Sequence, residues 1–394
     1  MHTLRAFVLV VALGLALGLP ARVPAAERTQ GRLAAFATSD AVVHGIAADT
    51  SVVFVTEPGI APQGSPPRVV AYDRRTSRRL GELPPPPGGF RLPFALRVAR
   101  PGTLAVLDNA GFPPQGPPKV HEYRYARSGV LRAAHTRTIG FDGLPLLFAE
   151  DIEVLPGGGY VVSESIAGGL WLVGRDGTVT PGLVPSGAPV PGLAGCRDTS
   201  GRFTVGGLPF ASAGGFAPGV GSLALRRDQL YFGNSCLGGL RRVALATLRD
   251  TSRPAHERAV EIDLVAARRP GPGIESLKAL AFDPARPRER WVYAGDPFRL
   301  RLLRIDTVTG RREVVARDPR LLNFPVAATF APGRRDRGRS TLLVASDQEH
   351  RWVGLNGALT RSVFQAPWVV AKLVLPRSSG RPDRRRQSLA EAGL

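Results

Sequence analysis

Lysine is nearly missing from this chain. Lys119, Lys278 and Lys372 stand against 49 arginines, within a formal charge of +20 at pH 7. A single methionine accompanies them among 394 residues. That bias fits GC-rich coding, so the positive charge needs a location before it implies a partner. The basic run Arg334-Arg335-Asp336-Arg337-Gly338-Arg339 has no interleaved aromatics to stack bases, and no nucleic-acid partner is expected. HExxH, G-x-S-x-G, GxxxxGK[ST] and CxxC are all absent, which excludes the metalloprotease, nucleophile-elbow, P-loop and CxxC chemistries that those spacings carry. With 46 Gly and 36 Pro, a fifth of the chain disfavours a helical bundle and suits short elements joined by turns.

Long apolar runs are equally scarce. Ala6 to Leu19 is uninterrupted, follows the short basic stretch Met1 to Arg5, and precedes Val23-Pro24-Ala25, a cleavage-like triplet. This is the pattern of an export signal over residues 1–25, and its apolar run of 14 residues falls short of the roughly 20 that a bilayer span needs. No membrane span is expected, and the mature protein is expected in the periplasm or outside the cell. A lipoprotein anchor would need a cysteine at the cleavage site, and the two cysteines lie at 196 and 236. In an oxidising compartment Cys196 and Cys236 are expected to form a disulfide. Residues 377–394 form a polar, basic tail, expected to be disordered.

Between these ends, over residues 32–376, one plan recurs six times: an apolar strand, a turn, then a second strand ending in a carboxylate or amide. The second strands are VVFVTE, LAVLD, YVVSE, LYFGN, WVYAGD and LLVASD, ending at Glu57, Asp108, Glu164, Asn234, Asp296 and Asp347. Third strands follow each, the last read as RWVGLNG after Asp347; a fourth is discernible at RLGELP. Six units of about 50 residues with four strands each predict an all-β fold, a six-bladed β-propeller of four-stranded antiparallel blades. GRLAAF from Gly31 and WVVAKLVL from Trp368 are the candidates for closing the ring.

In such blades the first strand starts, and the second ends, at one mouth of the central channel. The predicted inner ring is His44, Phe94, Glu150 with Asp151, Gly221 with Ser222, Lys278 and Val326. The predicted second ring is the six strand-end residues above. Clustered carboxylates need a cation, hydrogen bonds or raised pKa values. Glu150 and Asp151, adjacent at the channel, are therefore candidate ligands for a hard divalent cation such as calcium, and with His44 they are the candidate catalytic residues. Lys278, Asp108, Glu164, Asn234 and Asp296 are candidate contacts for a small-molecule ligand. Two other readings stand beside these: strand-end carboxylates cap turns, and Lys278 can pair Glu150 or Asp151 and replace a metal outright.

The connection from Pro181 to Val220 is long and rich in Gly and Pro. A disulfide from Cys196 to Cys236 would pin it over the mouth, where Phe203, Phe210 and Phe216 would wall an apolar pocket; an extra strand pair packed on the side is the alternative.

FAEDIEVLPGGGYVVSES (Phe148 to Ser165) and GVGSLALRRDQLYFGNS (Gly219 to Ser235) resemble the senescence marker protein/gluconolactonase superfamily of six-bladed propellers. LAVLDNAG and LYFGNSCLGGLRRVAL also resemble the yellow/major royal jelly proteins. The resemblance implies a propeller with a ligand site at its mouth, and lactone or ester hydrolysis if it is an enzyme; the royal jelly branch implies a non-catalytic binding protein. Lactonase members hold a divalent cation with one Glu, two Asn and one Asp at the starts of innermost strands. The matching positions here are His44, Glu150, Gly221 and Lys278, of which Glu150 alone keeps an oxygen ligand.

Overall fold

The computed structural model describes residues 31–376, apart from 61–63, 112–113, 129, 187–188, 198–203, 207, 211–215, 269–274, 333–338, 353–355 and 357–363. The export signal and the basic tail lie outside the described residues.

The second and third strands of a blade are sandwiched between neighbouring blades, so both of their faces must be apolar. Val52–Glu57, Tyr160–Glu164 and Gly169–Val173 are buried at every position. An outermost strand has one face in solvent and alternates instead: Val130–Gly140 is alternately exposed and partly buried along most of its length. These two patterns, repeated, generate six four-stranded antiparallel sheets. Their innermost strands are Ile46–Ala48, Leu92–Arg100, Ala149–Val154, Val220–Arg226, Lys278–Phe282 and Pro325–Phe330. The fold is the expected six-bladed propeller.

Ring closure joins the two ends of the propeller. Arg32–Ser39 pairs antiparallel with Trp368–Val374, which pairs in turn with Thr341–Ser346. This corrects the reading of RWVGLNG as the third strand of the last blade. Glu349–Arg351 is instead a short 3-10 turn, and Trp368–Val374 is the third strand, with Arg32–Ser39 the fourth. WVVAKLV supplies the β-branched run that a strand buried on both sides requires; RWVGLNG has too little apolar sequence before its turn residues.

Packing follows from the ring. One cluster of buried apolar side chains lies between each pair of adjacent blades, as with Phe54, Leu96 and Tyr123 between the first two. A further cluster lies at the mouth, where Val205, Phe210, Phe298, Phe324 and Val326 come together with Cys236.

Candidate functional site at the channel mouth

Five of the six innermost strands carry a register shift close to their start. The shifts fall between Pro93 and Ala95, Ala149 and Ile152, Val220 and Leu223, Lys278 and Ala281, and Pro325 and Ala327. A bulge adds residues to one strand and re-aims the side chains there. The extra residues include Phe94, Glu150 with Asp151, Gly221 with Ser222, and Val326, so the predicted inner ring is largely a ring of bulges.

Lys278 lies at the centre of the mouth, 2% exposed. Its ammonium donates to Glu150 Oε1 at 3.1 Å and to Glu349 Oε2 at 2.8 Å, and lies 5.8 Å from the centre of the Phe324 ring. Ser165 Oγ donates to the other oxygen of Glu150 at 3.2 Å. Burial alone would strip the proton from this lysine; Glu150, Glu349 and Asp347 reverse that and hold its pKa above the ordinary lysine value. Around one ammonium there are thus three carboxylates. Burial, then Glu349, pushes the Asp347 carboxyl well up, and burial raises Glu349 against the pull of Lys278.

His44 closes the cluster. Its Nδ1 donates to the Phe94 carbonyl at 3.0 Å and its ring stacks on Phe94 at 3.5 Å between centroids. That bond leaves Nε2 as the lone-pair nitrogen. It is buried without a hydrogen-bond partner among the described residues, 3.7 Å from Asp347 Oδ2. Burial lowers the imidazole pKa to about 4, so the ring is neutral near pH 7.

Asp151 does not join Glu150. Its Oδ2 accepts from Arg97 Nη2 at 3.0 Å and from the Leu223 backbone at 2.8 Å, while Oδ1 accepts from Ile152 N. Arg97 also reaches Glu153 Oε2 at 3.2 Å and the Leu223 carbonyl. Together they lace the innermost strands of the second, third and fourth blades across the channel. Burial raises the Asp151 pKa to about 6 despite Arg97. The space left in the channel here, lined by His44, Arg97, Asp151 and Ser222 among others, amounts to about 10 Å³, roughly room for one water centre.

The second ring is spent mainly on local structure. Asp108 accepts from Arg91 N and Leu92 N, with Leu92 at 2.6 Å. Glu164 accepts four backbone N–H groups, from Phe148, Ile166, Ala167 and Gly168. Asn234 accepts from Cys236 N and Leu237 N and donates to the Gly192 and Ala194 carbonyls. Asp296 pairs with Arg299 and Arg301, and Glu57 with Arg68. Asp347 is the member that turns inward.

The long connection does cross the mouth. Cys196 and Cys236 form a disulfide with their Cα atoms 5.4 Å apart, an ordinary span. The segment is held by two short strand pairs, Cys196–Arg197 with Phe216–Ala217 and Thr204–Val205 with Leu208–Pro209. Gly219 is needed where it lands: a side chain there would collide with the Leu193 carbonyl. Phe210, 1% exposed, packs 5.0 Å from Phe298 and 5.4 Å from Phe324 between ring centroids. Phe210 therefore fills space that was expected to be a pocket; Phe203 lies outside the described residues.

Sequence reasoning missed Glu349 and Arg97. The signal for the first was the string Asp347-Gln348-Glu349-His350, an extra carboxylate just past a strand end. For the second it was an arginine inside ALRV, where the sister strands SLAL and ALAF are apolar.

The lactonase cation does not fit these residues. Lys278 Nζ already neutralises Glu150, Asp151 faces Arg97 instead, and Gly221 offers no donor, although a Cβ there would lie 3.5 Å from Glu150 Cγ. Among the described residues no group of three or more His, Cys, Asp or Glu is arranged to hold a metal. This corrects the expectation that Glu150 and Asp151 share a cation: consecutive residues at this bulge reach different partners.

No family model matches the chain, and no curated protein matches it. Solved structures do. A gluconolactonase from Xanthomonas campestris is 11% identical with a TM-score of 0.52, covering 88% of this chain and 90% of that one. A luciferin-regenerating enzyme is 12% identical with a TM-score of 0.51, covering 89% and 96%. A calcium-binding regucalcin from Agrobacterium tumefaciens is 15% identical, covering 88% and 95%, at a TM-score of 0.48 that is too low to argue from. The likeness is one of fold alone: at 11% and 12% identity, the gluconolactonase and the luciferin-regenerating enzyme share the propeller architecture with this chain.

Proposed function

We propose that this chain is an exported, metal-independent propeller that binds a small ligand and does not hydrolyse lactones. The observation that carries the reading is Lys278 Nζ bonded to both Glu150 and Glu349 at the heart of the mouth. A buried ammonium supplies one of the two positive charges of a divalent cation and offers no open coordination position, and so cannot polarise a carbonyl as a Lewis acid does. The narrow channel supports the same reading: among the described residues the space lined by Glu150, Asp151 and His44 amounts to about 10 Å³, too little for a sugar lactone within the channel itself. The resemblance to the royal jelly branch agrees with a binding role. The Cys196–Cys236 disulfide favours an oxidising compartment, and no helix among the described residues is long and apolar enough to cross a membrane.

The test is metal analysis of the purified full chain with δ-lactone and aryl-ester hydrolysis followed before and after chelation. No stoichiometric divalent metal and no turnover are expected. One equivalent of metal with chelator-sensitive hydrolysis would overturn the proposal.

A second reading, metal-free ester hydrolysis, is favoured by one feature, the unpartnered Nε2 of neutral His44 beside Asp347. It requires chelator-resistant turnover that His44→Gln abolishes while leaving the fold intact.

A further inference from the structure

At the face opposite the mouth, where the closing blade meets the first, the structure holds a cavity of about 570 Å³. That is the size range of small-molecule sites, about 300–1,000 Å³. Four cationic side chains line it: Arg74 and Arg75 from a hairpin of the first blade, Arg339 from one in the last, and Lys372 from the strand Trp368–Val374. Among the described residues none of the four has an ion-pair partner. The two carboxylates of the lining are otherwise engaged. Asp73 accepts from the backbones of Arg75 and Thr76, and Asp283 from Ala285 N while pairing with Arg286 at 3.2 Å.

Two further observations point to a ligand. Ser340, 5% exposed, lines the cavity, and its buried hydroxyl has no hydrogen-bond partner among the described residues. Buried hydroxyls are normally satisfied, so an orphan beside a basic cavity is a donor in want of an acceptor. Lys372 is one of three lysines in an arginine-biased chain and sits within a strand, level with Ala34 and Leu343. The apolar wall is Phe36, at the register shift between Ala35 and Ala37, packed 6.3 Å from Tyr72, together with Leu343.

We propose that this cavity binds a phosphate monoester with a small apolar or aromatic body. The dianion is met by the guanidinium groups of Arg74 and Arg339, the Lys372 ammonium and the Ser340 hydroxyl, and the body lies toward Phe36 and Leu343. Charge-assisted bonds from arginine suit the several oxygens of a phosphate better than a single carboxylate. The site is separate from the mouth and does not depend on the metal-free reading.

The experiment is calorimetric titration of the full chain with phenyl phosphate at physiological ionic strength, where loose surface attraction is screened. Saturable one-to-one binding is expected, at least about tenfold weaker in Arg339→Ala and in Lys372→Met, as loss of one charge-assisted contact implies. Arg132→Ala, which removes an exposed arginine from the outer strand of the second blade, is expected to bind like the native chain. Benzoate is expected to bind at least about tenfold more weakly than phenyl phosphate. No saturable binding, equal weakening by Arg132→Ala, or equal binding of benzoate would each overturn the proposal. Arg339 is exposed, so its variant keeps the test decisive if Lys372→Met fails to fold.

Discussion

Two sets of acidic residues sit at the same mouth and use their charge in opposite ways. Asp108 and Glu164 belong to the outer set, and their oxygens accept the N–H groups of adjoining segments. Glu150, Asp347 and Glu349 belong to the inner set, and they converge on one ammonium. Their sister residues serve their own blades too, Asn234 through local N–H groups and Glu57 and Asp296 through arginines of the same blade, so the outer set repeats around the ring. A converging charge needs one partner for the whole ring, so the inner set is irregular. Regularity in a repeat protein thus marks structural service, and departure from it marks the place where charge is concentrated.

The largest expected effect breaks the inner set. Lys278→Met leaves the buried carboxylates without their cation, and removing one partner of a buried pair costs about 3–5 kcal/mol. Urea unfolding at neutral pH is expected to show that loss. It should shrink as the pH falls, because Asp347 and Glu349, whose pKa values burial raises, take up protons and no longer repel their neighbours. A loss below about 1 kcal/mol would mean that the carboxylates are carried by protons rather than by Lys278. Lys278→Asn sharpens the point: it restores an oxygen donor at a position where lactonases have one, and calcium is expected to raise the melting temperature of this variant but not of the native chain.

His44 distinguishes the inner set by its response to acid. Its folded-state pKa, lowered to about 4, lies below the ordinary histidine value, so the unfolded chain takes up the proton first as the pH falls. Stability is therefore lost between about pH 6.5 and about pH 4, by about 3 kcal/mol at most. Asp151 has the opposite sign. With its pKa raised to about 6, it adds stability as the pH falls through that value, and the raised pKa values of Asp347 and Glu349 act in the same direction. In the native chain these terms oppose one another. His44→Gln removes the destabilising one, so its denaturation midpoint, compared with that of the native chain, is expected to gain steadily from about pH 6.5 down to about pH 4. Parallel curves for the two proteins would show that His44 is protonated in the fold.

Most of the architecture was legible because blades repeat and their middle strands are apolar on both faces. The inner ring was legible for the same reason, since the position before each first strand could be counted. What could not be counted was direction. Glu150 and Asp151 are neighbours in sequence, and only the bulge between Ala149 and Ile152 decides that one meets Lys278 while the other meets Arg97. Glu349 escaped because it lies in the turn after a second strand, and the corresponding 3-10 turn of the fifth blade, Pro297–Arg299, carries no carboxylate. The basic cavity was invisible for a different reason: Arg74 is separated from Arg339 and Lys372 by most of the chain and meets them only through ring closure.

The smallest expected effect tests the outer set. Asp108 Oδ1 receives Leu92 N at 2.6 Å and Arg91 N at 3.2 Å, and Oδ2 receives Arg91 N again at 3.1 Å. Asp108→Asn keeps one carbonyl oxygen that serves both donors, and its new amide faces His121, whose Nε2 lies 3.5 Å from Oδ2. One hydrogen bond to a charged group becomes one to a neutral group, a loss of about 1 kcal/mol. Calcium should have no effect on this variant, and phenyl phosphate should bind it as it binds the native chain. A cost as large as that of Lys278→Met would erase the distinction between the two sets, since it would mean that the outer carboxylates also carry charge that the whole mouth depends on.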